Sequence, residues 1–480
     1  MVVAVAVVVT AGGLVGLGVA IAAIPLMVGA AVVVASALLL SLSRRLLWVL
    51  ALVLFATLPL AYLPVPSGLL TVSPPVLLML ILALRTVLER PSRGRFVLSG
   101  VVCLLLGFGG WLFVSVVASD YRSVSIGWFV SYGCLVVLPA LLATTDPKIR
   151  DALRYTWVVL GALLGAYALL EAFVLQANPL LDPVYARGVR DPLVQQWSVY
   201  RATTTLGHPV SNGAFFAIAV PLALGAALSR RSGFAAMAAV IAAGGVVASG
   251  SRSAFGAMLL GAAVVVLLPA AGRGPRGRTD VVARAAGVMA IIAALVGGTA
   301  YLAARDASGE GTSSARFRAT QIPIALQRVR EAPVFGTGPG AASFSEQSLL
   351  ARIGGAGAFE SYWLELVVGA GIPGLLLGAG VVVAALFVAL RSGAPDVAGA
   401  LVAWTVTATL LNALEGGRPD QLVLGLVLAM AFAGSSTARG SRYGLRRGSA
   451  LHLAATSSTD VEHHQPGHSR YGIRPRSDVP

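Results

Sequence analysis

Charge is scarce in this chain. Only 11 % of its 480 residues are Asp, Glu, Lys or Arg, against about one quarter in soluble proteins, which excludes an ordinary water-soluble fold. Lysine is nearly absent: Lys148 is the only one, so the net charge of +15 is carried by arginine. The arginines are scattered through short segments between apolar runs and form no stripe, so nucleic acid is excluded as a partner. The two cysteines, Cys103 and Cys134, both fall inside apolar runs; they read as small core residues and say nothing about redox compartment. The first residues, MVVAVAVVVT, lack the positive region and cleavage pattern of a signal peptide and read as a retained span. No internal repeat is visible, which disfavours transporters built from inverted halves.

What the chain has is hydrophobicity, 57 % of residues, in runs of membrane-spanning length from residue 2 to about 434. The runs are continuous and do not alternate, which excludes a β-barrel. The fold class is therefore all-α, a polytopic transmembrane helix bundle. Spans are predicted near 2–18, 22–42, 46–63, 68–84, 96–118, 125–143, 156–175, 210–228, 234–249, 254–271, 285–304, 359–390, 397–413 and 421–434. That makes fourteen, with twelve as the alternative, because the first two share one apolar stretch. The 359–390 run is long for one helix, and its GAGIPG marks a kink or a re-entrant start.

Alternate loops carry Arg44 and Arg45; Arg85, Arg90, Arg93 and Arg95; Lys148, Arg150 and Arg154; Arg230 and Arg231; Arg273, Arg276, Arg278 and Arg284; and Arg391. Fourteen spans put all of them on one side, together with both termini, and the positive-inside rule makes that side the cytoplasm of a multi-pass cell-membrane protein. Three regions follow: N-terminal spans over 1–175, a core over 176–434, and a polar tail over 435–480 that reads as disordered and cytoplasmic. His463, His464 and His468 in the tail are of a kind that polar tails contain by chance, and no metal site is expected. The core holds two long outward loops, near 176–209 and 305–358, a length that usually signals function. In the second, Phe317, Ile324, Leu326 and Val329 track one helical face, with Arg316, Arg318, Arg328 and Arg330 nearby and Pro333 and FGTGPG ending the segment. This is either an amphipathic helix on the outer membrane surface or a lid packed on the bundle.

Against this background some arginines stand on the wrong side. Arg252, in ASGSRSAF, occupies a short outward gap between two apolar runs, where arginine is normally avoided. Arg201 precedes the span at 210, and Arg316 and Arg318 open the loop helix. One reading is anchoring to anionic headgroups; the other is an anionic ligand at headgroup depth, since guanidinium forks bind phosphate oxygens bidentately at any relevant pH. A diphosphate on a lipid carrier fits the second. Glu360 lies where the outer loop becomes a helix, before Tyr362 and Trp363, which suggest the membrane interface; it is a candidate general base toward a hydroxyl, or simply an acid favoured by the helix dipole. Glu365, deeper, is a second polar group of the cavity or a partner to an arginine. His208, before Pro209, is a candidate for substrate binding or a helix cap, and Asn212 is a candidate cap.

At these residues the chain resembles the O-antigen ligase/polymerase superfamily of bacterial membrane glycosyltransferases. Three blocks carry the likeness: RATTTLGHPVSNGAFFAIAVPLALG, ASGSRSAF, and the stretch from RFRATQIPIALQRVREAPVFGTGPGAASF to ESYWLELVVGAGIPGLL. Together they cover about 200–380. Ligase members usually carry a His-Asn pair where this chain has Glu360-Ser361, and an acid-Ser version is more familiar among the polymerases; Val210 stands where an Asn often follows the Pro. The resemblance implies a glycosyltransferase fold of the C type and an enzyme that takes a glycan from an undecaprenyl-type (polyprenyl) diphosphate carrier. It implies transfer to a hydroxyl of a glycan or lipid-linked acceptor at the outer face, with no metal or other cofactor. Arg201, Arg252 and Arg316 or Arg318 would then hold the diphosphate, and Glu360 would accept the acceptor's proton. The bilayer is a further partner, and there is room for a chain-length regulator. From other classes, a flippase for lipid-linked glycans and an inactive assembly partner remain open; a flippase should carry polar residues along the full depth of its bundle, whereas these candidates gather at one face.

Overall fold

The computed structural model describes residues 39–57, 74–88, 99–181, 199–268, 310–342, 359–409 and 418–435, with isolated positions at 285, 287–289 and 297. They form an all-α bundle. Its helices are α1 (Arg44–Thr57), α2 (Pro74–Leu88), α3 (Gly100–Ala118), α4 (Arg122–Ala143), α5 (Lys148–Leu175), α6 (Pro209–Arg230), α7 (Gly233–Ser249), α8 (Arg252–Leu267), α9 (Glu310–Glu331), α10 (Tyr362–Arg391), α11 (Pro395–Ala408) and α12 (Arg418–Phe432). Five of them, α3, α4, α5, α6 and α10, are long and apolar enough to cross a membrane, and shorter apolar helices accompany them. This is a multi-pass membrane protein. The spans predicted at 2–18, most of 22–42 and most of 285–304 lie outside the described residues, as does the tail beyond Ser435.

Buried helices of this kind form because a backbone in lipid must satisfy its polar groups internally. Small residues let them approach closely. A Cβ on Gly161 of α5 would stand 2.7 Å from that of Ala219 in α6, and one on Gly261 of α8 would stand 2.6 Å from the Gly399 carbonyl oxygen in α11. Around α6, buried along most of its length, pack α5, α7, α8 and α11.

The two ends of the bundle differ. At one, the base, arginine fastens helix ends: Arg150 donates to the Met430, Ala431 and Ala433 carbonyls that close α12, at 3.0, 3.4 and 3.2 Å. Arg154 pairs with the buried Asp396 at 2.6 Å, and Arg44 with Asp146 at 3.5 Å. This is why α5 begins at Lys148 and not near 156 as expected. Its first two turns are charged and so invisible to hydropathy, yet Arg150, Asp151 and Arg154 there all find partners. At the other end, the mouth, α6, α8, α10 and α12 begin.

α10 is broken. Gly371 has φ 71° and ψ −177°, a conformation open in practice to glycine alone. Pro373 has no N–H for the Gly369 carbonyl, and the Ile372 N–H is diverted to Pro333 O at 2.9 Å. The freed carbonyls of Val368 and Gly369 are taken by the N–H groups of Thr337 and Gly338, each at 2.9 Å, and Ala370 O accepts from Trp111 Nε1 at 2.9 Å. The GTGPG segment is therefore inserted between α3 and α10. Phe335 stacks on Trp111, ring centroids 5.5 Å apart, about 10 Å below the mouth end of α3 at 1.5 Å per residue. Irregular backbone at that depth survives because its polar groups find partners within the protein, as where Ser115 Oγ donates to Phe335 O.

Three expectations need correcting. Cys103 is exposed on α3 and is not a core residue. Tyr362 is 2 % exposed and hydrogen-bonded to Tyr132 at 2.9 Å, so it is a core group and not an interfacial anchor. Leu326 is exposed, whereas Phe317, Gln321 and Ala325 are buried, so the packed face of α9 runs through residues 317, 321 and 325. That face closes a small cluster with Phe359 and Val368. α9 is a lid helix on the start of α10; its other face leaves Ile322 and Leu326 uncovered.

Candidate functional site

The ASGSR gap is a joint between helices. Gly250, left-handed at φ 60°, ends α7, and Ser251 caps α8 by accepting from Ala254 N at 3.3 Å. Arg252 is thus the first residue of α8, exposed at the mouth. The start of α6 lies directly against this joint: a Cβ on Gly213 would meet Ser249 Oγ and Ala254 Cβ, each at 2.8 Å. The segment leading into α6 joins it too, since Ala202 N donates to Ala248 O at 3.0 Å. Arg201, half-buried, therefore stands on a strand of chain hydrogen-bonded to the end of α7, a few residues from Arg252.

A set of buried polar side chains holds that strand. Glu171, fully buried in the π-helical last turn of α5, accepts from Tyr200 Oη (3.0 Å), Thr203 N (2.8 Å), Thr203 Oγ1 (3.0 Å) and Thr204 N (2.9 Å). Asn178 Nδ2 donates to Thr203 Oγ1 and to Thr204 O, both at 2.7 Å. Asn212 accepts from Thr204 Oγ1 at 2.7 Å and donates to Ala202 O at 3.0 Å. It braces this turn from within α6; the cap expected of it is supplied by His208, whose Nδ1 accepts from Val210 N at 3.2 Å. His208 is otherwise exposed at the mouth.

On the other flank, Arg318 of α9 reaches Glu360. Its Nε lies 3.0 Å from Oε2, without hydrogen-bond alignment, and both side chains are about one-third exposed (34 % and 36 %). Glu360 N donates to the buried Gln321 Oε1 at 2.9 Å, which fixes the junction beneath the lid. Glu365, one turn into α10, is fully buried. The side chain of Arg316 lies outside the described residues.

The floor between the flanks was not foreseen. Asp420, buried in the first turns of α12, accepts from Ser211 Oγ at 3.3 Å, and the adjoining Gln421 accepts from Ser131 Oγ at 3.1 Å. With Tyr132 bonded to Tyr362, these contacts join the starts of α6, α12 and α10 through α4. Several helix starts thus share one end, where their dipoles favour an anion. Among the described residues no group of three or more His, Cys, Asp and Glu side chains is arranged to hold a metal ion. The carboxylates of Glu171 and Asp420 escaped the sequence reading because each looks like an ordinary polar residue at a span end. Only partners distant in sequence reveal that they are buried.

A sequence model of the family described as O-antigen ligase matches residues 237–379, from the first turns of α7 past the break in α10. The chain is a membrane protein with an O-antigen ligase family domain over part of its length. Arg252, Arg316, Arg318, Glu360 and Glu365 fall inside the matched stretch; Arg201 and His208 precede it. No curated protein matches the chain.

Proposed function

We propose that this protein is a glycosyltransferase that polymerises, or ligates to another acceptor, oligosaccharide units carried on a polyprenyl diphosphate, working at the outer face of the cytoplasmic membrane in cell-surface polysaccharide synthesis. The observation that supports the reading is that arginines and a carboxylate stand at the same end of the bundle, the mouth: Arg252 on the first turn of α8, Arg201 on the strand tied to α7, and Arg318 against Glu360. We take the mouth to be the outer end, because the base carries the arginine-rich short connections, and the bundle to be of the C-type glycosyltransferase class.

In this reading the Glu360 carboxylate takes the proton of the acceptor hydroxyl as its oxygen attacks the anomeric carbon of the donor sugar. The bond from that carbon to the diphosphate oxygen breaks, and its electron pair leaves with the diphosphate. Arg201, Arg252 and Arg318 offset the developing charge on the leaving diphosphate, the electrostatic contribution that usually dominates such chemistry. Glu360 is held by Arg318 before substrate arrives. A diphosphate offers Arg318 competing oxygens, so donor binding frees the base.

The test is Arg252→Ala. Polymer should disappear while lipid-linked units still reach the outer face, and purified wild-type protein should elongate a short-chain lipid diphosphate glycan. Unchanged polymer length in the variant overturns the assignment. Units trapped on the inner face point to a flippase instead.

A further inference from the structure

Glu171 is a fully buried carboxylate that the reaction above leaves unused, and the donors to its side chain lie on either side of Arg201. It grips Tyr200 on one side and Thr203 and Thr204 on the other. Thr204 has φ 43°, the left-handed region that a β-branched residue rarely enters. Such a conformation persists only where the surroundings over-determine it, and here they do. The N–H of Thr204 goes to Glu171, its carbonyl to Asn178 and its hydroxyl to Asn212. Thr205 Oγ1 donates in turn to Ala56 O on α1. These bonds fix the backbone on either side of Arg201.

We infer that Glu171 is a positioning residue for the lipid-diphosphate donor: through Tyr200, Thr203 and Thr204 it fixes the backbone from which Arg201 reaches the diphosphate. The inference rests on the assignment of Arg201 to the diphosphate. It differs from a bracing role for the fold, because it ties the effect of Glu171 to one other side chain and one of two substrates. Glutamine has nearly the shape of glutamate, but its amide turns an N–H group toward donors that need an acceptor.

The experiment uses the full chain in lipid nanodiscs. Wild type, Glu171→Gln, Arg201→Ala and the double variant are compared for KM of donor and acceptor, and for direct binding of a short-chain polyprenyl diphosphate without sugar. Glu171→Gln should raise the donor KM and weaken polyprenyl diphosphate binding by about tenfold, the scale of one hydrogen bond to a charged group. The acceptor KM should stay within error. Added to Arg201→Ala, Glu171→Gln should have no further effect on either donor measure. An equal tenfold loss in both backgrounds, or a fall in kcat alone, overturns the inference. If Arg201→Ala weakens the donor and Glu171→Gln does not, the inference fails and the diphosphate site stands. If Arg201→Ala leaves donor binding unchanged, the site assignment fails and takes this inference with it. Should Glu171→Gln not fold, Tyr200→Phe removes one of the four bonds and is read by the same comparison: an effect confined to the background that retains Arg201 supports the inference, and one that is the same in both overturns it.

Discussion

Arg318 and Glu360 meet at 3.0 Å across the junction between the lid helix and α10, each about one-third exposed. A pair so open to water adds about 0–1 kcal/mol to stability, so either residue can be changed without unfolding the protein. This lets function be separated from docking. If the pair only fastens α9, the exchanged variant Arg318→Glu/Glu360→Arg restores whatever the single variants lose. If Glu360 is the base and Arg318 a diphosphate ligand, the exchanged variant keeps the lid closed to proteolysis but stays inactive. Glu360→Gln alone should lower kcat by about 10²–10⁴, the usual contribution of a general base, with donor KM little changed. Single-turnover rates on a defined lipid diphosphate glycan, with limited proteolysis of α9 as the structural readout, decide between the two.

The break in α10 yields a second prediction. Gly371 combines a glycine-only backbone with a site where an added Cβ would stand 2.0 Å from Val334 O. Gly371→Ala should therefore destabilise the protein by at least about 3 kcal/mol through strain and overpacking together, and it should expel the GTGPG segment from between α3 and α10. Gly107→Ala on α3, where an added Cβ meets nothing within 4 Å, is the control and should be neutral or stabilising by up to about 1 kcal/mol. Thermal midpoints of the two purified variants give the comparison. Equal midpoints would mean that α10 is not held broken in this way.

Much of this bundle was legible in the sequence, for a physical reason. Hydrophobic runs report burial in lipid directly, so α3, α6, α7 and α8 begin and end close to their predicted limits. Periodicity also found α9. What it could not find is anything that depends on pairing distant residues. Leu326 looked as apolar as Phe317, and only the position of α10 decides which face of α9 is covered. The kink at GAGIPG was expected, yet nothing local says that Thr337 and Gly338 supply the missing donors. Arg318 and Glu360 read separately, as a diphosphate ligand and a base, and their contact is not visible from the sequence around either one. Glu171 stayed unnoticed because its four donors come from residues 200–204, distant from it in sequence.

Which end faces outward is open to a chemical test, and the proposed mechanism depends on it. Arginine at the base binds helix-terminal carbonyls and carboxylates, so those charges are explained in part by structure and not by orientation alone. The short basic connections, such as Arg230 and Arg231, still favour a cytoplasmic base. After Cys103 and Cys134 are replaced by serine or alanine, a single cysteine introduced as Ser253→Cys, half-exposed beside Arg252 at the mouth, should react in intact cells with a membrane-impermeant maleimide. Ser232→Cys, at the base between α6 and α7, should react only after the membrane is opened. The reverse labelling pattern would put Arg252 and Glu360 on the cytoplasmic side, where lipid-linked units are still being built. It would end the polymerase reading even if every contact described above is right.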